Sequence, residues 1–86
     1  MRDDLIKGVS LLKSSEYRLK ITMSLKDGIK TPSEMSKLTE IRLNHISKSL
    51  KELKENGLVE CLNEESRKGR LYKLTKLGVE VLNELS

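Results

Sequence analysis

The sequence predicts one mostly helical α+β domain: two helices joined by a tight turn, then a two-stranded β-hairpin, with further helices at both ends. Three observations carry this. Thr31-Pro32-Ser33-Glu34 is a complete helix-start signal. Leu43, Ile46, Leu50 and Leu53 step by three, four and three, the spacing of one helical face. Two short apolar runs, 58–62 and 71–74, bracket the polar, glycine-containing stretch NEESRKGR, as strands bracket a hairpin loop.

The elements follow in order. Leu5, Ile6, Val9, Leu11 and Leu12 are spaced as a short helix or an apolar arm. Ser14 and Ser15 offer caps for a helix running to about Lys26, on which Tyr17, Ile21 and Leu25 make a stripe predicted to be buried. Asp27-Gly28 ends it, and 29–31 is a short extended link. Thr31 then caps the next helix, Pro32 takes its first position and Glu34 completes a capping box. Met35 and Leu38 are expected to face inward, and Thr39-Glu40-Ile41 breaks the helix. A longer helix from about Arg42 to Asn56 stops at Gly57.

Leu58 to Leu62 reads as a strand with Val59 and Cys61 on one side and Leu58 and Leu62 on the other. Leu71 to Leu74 is the return strand. Thr75 caps a last helix carrying Val79, Leu82 and Leu85. This gives a helix pair at about 31–57, a hairpin at 58–74 and a terminal helix at 75–86, all within one domain spanning 1–86.

Composition narrows the function. Seventeen Lys and Arg against thirteen Asp and Glu give a net charge of +4, mildly basic and favourable to a polyanion. The distribution is more informative: Arg67, Lys68, Arg70 and Lys73 follow directly on Glu60, Glu64 and Glu65. Tyr17 and Tyr72 are the only aromatic residues, too few for the stacking platform of a single-strand binder. A lone cysteine rules out an intrachain disulfide framework. MRDDLIKG places acids where a signal peptide needs a basic then apolar run, and no apolar stretch reaches the roughly 20 residues of a membrane span. The chain is therefore expected to be soluble and cytoplasmic, without membrane contact.

No enzyme reading stands. The glycines are isolated, so there is no phosphate loop. Cys61 and His45 fall on different elements with no orienting group. His45 lacks partners for a metal, and no cofactor or metal is expected. Cys61 on a strand reads as a small hydrophobe rather than a redox sensor, and Tyr72 as packing.

Two helices joined by a tight turn, the second longer and basic, form a helix-turn-helix. With Leu43, Ile46, Leu50 and Leu53 inward, the outer face of the second helix carries Asn44, Lys48 and Lys51, flanked by His45 and Ser47. Asn is suited to adenine, Lys to guanine acceptors or phosphate, and Ser and His to either. Alone, such a face reads equally well as solvated surface. The basic tip Arg67-Lys68-Gly69-Arg70, placed directly after that helix, tips the balance toward duplex DNA, with the helix in the major groove and the tip on the backbone or the neighbouring minor groove. Glu52 and Glu55 fall toward the far end of the helix.

Residues 31–75 resemble the winged helix-turn-helix regulators of the MarR-like and ArsR-like kind, particularly small archaeal members. TPSEMSKLTEIRLNHISKSLKELKENGLVECL and RKGRLYKLTKLG carry the resemblance, with LKELKENGLVE, LYKLTKLG and Ser15-Glu16-Tyr17-Arg18 the most similar blocks. It covers about 70 of the 86 residues. It implies this fold, double-stranded DNA binding, transcriptional regulation and a homodimer, but no target gene or effector. The N-terminal apolar segment and the last helix are the expected dimer surfaces, unless the segment only covers its own core. The alternative function is a winged-helix module for protein contact within a larger assembly.

Two positions depart from the pattern. Glu40 stands where such turns often hold glycine. A left-handed backbone there costs a non-glycine residue about 1 kcal/mol, so a different turn conformation is expected. Arg42 stands where a capping Ser or Thr is usual and cannot accept the orphan N–H bonds, though it can reach a phosphate.

Overall fold

A computed structural model describes residues 2–86. Five helices, α1 (Asp3–Lys13), α2 (Glu16–Ser24), α3 (Pro32–Thr39), α4 (Leu43–Glu55) and α5 (Lys76–Leu85), surround one core beside an antiparallel hairpin of β1 (Val59–Cys61) and β2 (Tyr72–Leu74). The N-terminal segment is a helix, packed along α5. Leu12 enters the core, with Leu5, Val9 and Leu11 partly buried against it.

Local signals set most boundaries. The Ser15 hydroxyl accepts from Arg18 N–H at the start of α2, and Thr75 does the same for Gly78 at the start of α5. The capping box of α3 is complete: Thr31 Oγ1 accepts from Glu34 N–H, and Glu34 Oε1 accepts from Thr31 N–H at 2.9 Å. That second bond, from the Thr31 backbone, holds the Glu34 carboxyl below its usual range. Gly57 ends α4 at φ 76°, a conformation that glycine adopts without steric cost.

The extended link before α3 becomes part of the hairpin's support. Lys30 and Tyr72 exchange backbone bonds of 3.1 and 2.9 Å, so Tyr72 lies between Lys30 on one side and Cys61 on the other. This anchors the hairpin root to the helix pair, and the Tyr72 side chain is buried.

Several expectations are corrected. Glu40 does take the left-handed conformation, φ 62°, ψ 20°. The strain is offset by closing the turn: Glu40 N–H bonds Ser36 C=O, Ser36 Oγ donates to Ile41 C=O, and Ile41 is buried. Glu40→Gly should therefore stabilise the fold by about 1 kcal/mol in urea unfolding, the relief of a side chain from that region. An unchanged or lower midpoint would show that Glu40 contributes a contact that outweighs its strain.

Tyr17, Leu38 and Leu43 are 43%, 62% and 50% exposed rather than inward. The core between α2, α3 and α4 is filled by Ile21, Leu25, Met35, Ile46, Leu50 and Leu53, which leaves the edge positions of each stripe at the rim. Leu62 and Val79 are also exposed, and Val81 takes the buried place on α5. The strands stop one or two residues short of the predicted runs, α2 ends at Ser24 rather than Lys26, and Arg42 precedes α4 as its cap residue.

Candidate nucleic-acid interface

Helix α4 places the predicted residues by simple rotation, about 100° per residue. Ile46, Ser49, Leu50 and Leu53 are its buried side. The opposite side presents Asn44, Lys48 and Lys51, all exposed, as one strip along the axis. Arg42 and Ser47 are exposed beside it. His45 is exposed too, but a quarter-turn from the strip, where its ring lies 5.1 Å from that of Tyr17 on α2. It flanks the strip rather than belonging to it.

Ser47, Leu50, Lys51 and Lys54 form one wall of a groove of about 680 Å³, with Thr31, Pro32 and Ser33 at the start of α3 and Arg67, Lys68, Gly69, Arg70 and Tyr72 of the hairpin closing it. Five cationic side chains thus line one groove, and of these Lys54 is paired with Glu64 of the hairpin. The start of α3 contributes polar surface to the groove, its Glu34 N–H already taken by Thr31 Oγ1 and its Met35 N–H by Thr31 C=O. Lys54 and the α3 start line this groove although the sequence does not single them out. Lys54 lies one turn beyond Lys51 on the same edge, a signal that helical spacing contains.

The hairpin tip, 62–71, is held in shape from both sides. Lys54 forms an ion pair with Glu64, tying the tip to α4. Asn63 accepts from Leu71 N–H at 2.7 Å and donates to Gly69 C=O at 3.3 Å. Arg70 turns back onto its own loop: Nε donates to Ser66 C=O at 2.7 Å and Nη2 to Glu64 C=O at 3.1 Å. Arg67 and Lys68 pair with no acid among the described residues and remain exposed at the tip. Cys61 is half-buried, with Sγ 3.7 Å from Asn63 Oδ1.

The opposite flank of α4 is pinned by Arg18. Its Nε donates to Leu11 C=O at 2.8 Å, Nη2 to Ser14 Oγ at 2.8 Å and Nη1 to Glu52 Oε1 at 3.3 Å. One guanidinium so ties the end of α1, the start of α2 and the C-terminal part of α4. This removes Glu52 from the exposed strip, with only 16% of the Arg18 side chain exposed.

A short helix, a tight turn, a longer helix with a polar outer strip, and a hairpin packed beside it define a winged helix-turn-helix domain, with α4 as the second helix of the motif and 62–71 as the wing. Residues 6–85 match the family of the methanogenesis regulatory protein FilR1, N-terminal domain, and the chain belongs to that family. No curated protein sequence matches it.

Solved structures agree. HlyU from Vibrio cholerae is 30% identical with TM-score 0.73, over 99% of this chain and 92% of that one. The homodimeric winged helix-turn-helix DNA-binding domain from Mycobacterium bovis, a possible ArsR-family transcriptional regulator, is 26% identical with TM-score 0.71, over 95% of this chain and 74% of that one. A mutant MarR from E. coli complexed with operator DNA is 28% identical with TM-score 0.74, over 94% of this chain but 59% of that one. Family and fold are those of DNA-binding regulators rather than enzymes. Among the described residues, no helix is long and apolar enough to cross a membrane.

Proposed function

We propose that this chain binds double-stranded DNA as a homodimer and regulates transcription. The observation that carries the reading is the exposed strip of Asn44, Lys48 and Lys51 running beside a groove lined by Lys54, Arg67, Lys68 and Arg70. The strip enters the major groove and reads base edges. Arg42, at the uncapped start of α4, and the wing hold phosphates or the adjacent minor groove. The structural likeness to a MarR bound to operator DNA supports this arrangement.

The dimer reading rests on α1 and α5. Ile6, Val9 and Leu85 line a groove between these helices, and Leu19, Met23, Leu82 and Leu85 line the groove next to it. Together they make a largely apolar face away from the basic groove. The homodimeric M. bovis domain supports pairing of this kind. Two copies then read two half-sites about one helical turn, or a multiple of it, apart.

The test is duplex binding titrated across salt. Contacts to several phosphates predict that log K falls linearly with log salt, with a slope of about −0.9 per phosphate. Sedimentation of the complex should give two chains per duplex. A flat slope, or no duplex binding at low salt, would overturn the reading.

A further inference from the structure

The wing covers one flank of α4. The other flank carries the Tyr17–His45 ring pair, centroids 5.1 Å apart and planes tilted by 51°. Both rings are exposed, Tyr17 at 43% although it sits on the stripe that buries Ile21 and Leu25. An amphipathic ring kept at a helix rim puts its apolar body against a neighbour and its hydroxyl in water.

The flank is fixed in place. Arg18, next to Tyr17 in sequence, binds Glu52 of α4, so α2 cannot slide along the reading helix without breaking that bond. The acid nearest in sequence, Glu16, is taken up by Lys20 at 3.0 Å. Lys48, on the exposed strip, lies one turn beyond His45. A polyanion seated on the strip therefore meets, on this side, a phenol, an imidazole and a lysine, with Glu16 and Glu52 already paired and the exposed Glu55 toward the far end of the helix.

We infer that Tyr17 and His45 form a second backbone contact, on the flank opposite the wing, donating from the phenol O–H and an imidazole N–H to DNA phosphate. The inference rests on the proposed duplex binding. It assigns His45 to positioning rather than base reading, and it adds Tyr17 to the interface. The reading strip is then straddled by two unlike contacts. The wing side is cationic and salt-sensitive. The α2 side is built from hydrogen bonds, which release few counterions and so depend little on salt.

Tyr17→Phe removes only the hydroxyl, and His45→Phe removes the ring N–H while keeping an aromatic ring against Tyr17. Both positions are exposed, and unchanged thermal unfolding checks that neither variant disturbs the fold. With a double-stranded oligonucleotide of mixed sequence at slightly alkaline pH, each variant should bind about tenfold more weakly, the scale of one hydrogen bond to a charged group. The salt slope should stay that of the wild type, and the ranking of different duplexes should be unchanged. Ethylation interference on a bound duplex should lose one phosphate in both variants.

Wild-type affinity in both variants, alongside weakened binding by Arg67→Ala, would overturn the inference and leave the proposed function standing. A changed ranking of duplexes in His45→Phe would overturn it by returning His45 to base reading. Absence of duplex binding by the wild type would overturn both.

Discussion

Gly78→Ala should lower the stability of this domain by about 3 kcal/mol and its Tm by about 15 °C, the scale of overpacking against a part that cannot yield. A Cβ built at Gly78 would lie 2.2 Å from the Leu58 carbonyl oxygen. That oxygen is backbone and is already bonded to Thr75 N–H at 3.1 Å. Its neighbours are fixed as well: Leu58 is fully buried, and Thr75 Oγ1 donates to Gly57 C=O. The helix preference of alanine over glycine, about 1 kcal/mol, is too small to offset such a clash.

Gly8→Ala is the comparison. There the added Cβ meets Val81 Cγ2 at 2.5 Å, the end of a side chain rather than backbone, so the cost should be smaller. Urea unfolding of the two variants at equal chain concentration measures the difference. Equal stability of Gly78→Ala and the wild type would mean that α5 can lift from the hairpin root.

Gly78 also shows why part of the fold was hidden in the sequence. The buried face of α5 runs through Gly78, Val81 and Leu82, with Leu85 partly buried at its end. That is a regular helical pattern whose first member has no side chain. A search for apolar residues finds Val79, Leu82 and Leu85 instead, and so places Val79 inside. Where structure is local, the sequence is transparent. The capping box at Thr31 and Glu34, the caps at Ser15 and Thr75, and the stop at Gly57 each involve residues within one turn, and each is present.

Where three elements meet, a stripe does not say where its partner ends. Tyr17, Leu38 and Leu43 fit helical spacing as well as their buried neighbours do, yet they fall at the rim. Glu40 is the converse case: an intrinsic cost correctly stated, then outweighed by the turn it closes.

The strip of Asn44, Lys48 and Lys51 was legible because helical rotation fixes it. The groove was only half legible. Its lysines and arginines stand out, but the start of α3 and Lys54 join them only through the Lys30–Tyr72 bridge and the Lys54–Glu64 pair, contacts between distant parts of the chain. No spacing rule reports that Arg70 turns inward onto its own loop.

Arg70 therefore separates two functions within one basic tip. The Arg67→Ala/Lys68→Ala double variant should bind every duplex about tenfold to a hundredfold more weakly at low salt, and flatten the salt slope by about two contacts' worth. It removes two exposed charges and, among the described residues, no hydrogen bond or ion pair of the loop. Arg70→Lys should leave the slope near the wild-type value, because the charge stays, yet still weaken binding. A lysine cannot reproduce the fork that holds the Ser66 and Glu64 carbonyls together, so the wing loses its shape rather than its charge. Titration of both variants against one duplex across salt reads slope and intercept separately. If the double variant kept the wild-type slope, the wing would not lie on the phosphate backbone, and the groove between α4 and the wing would have to hold something other than DNA. If Arg70→Lys bound as the wild type does, the bonds to the loop would be incidental, and Arg70 would belong with Arg67 and Lys68 as a charge.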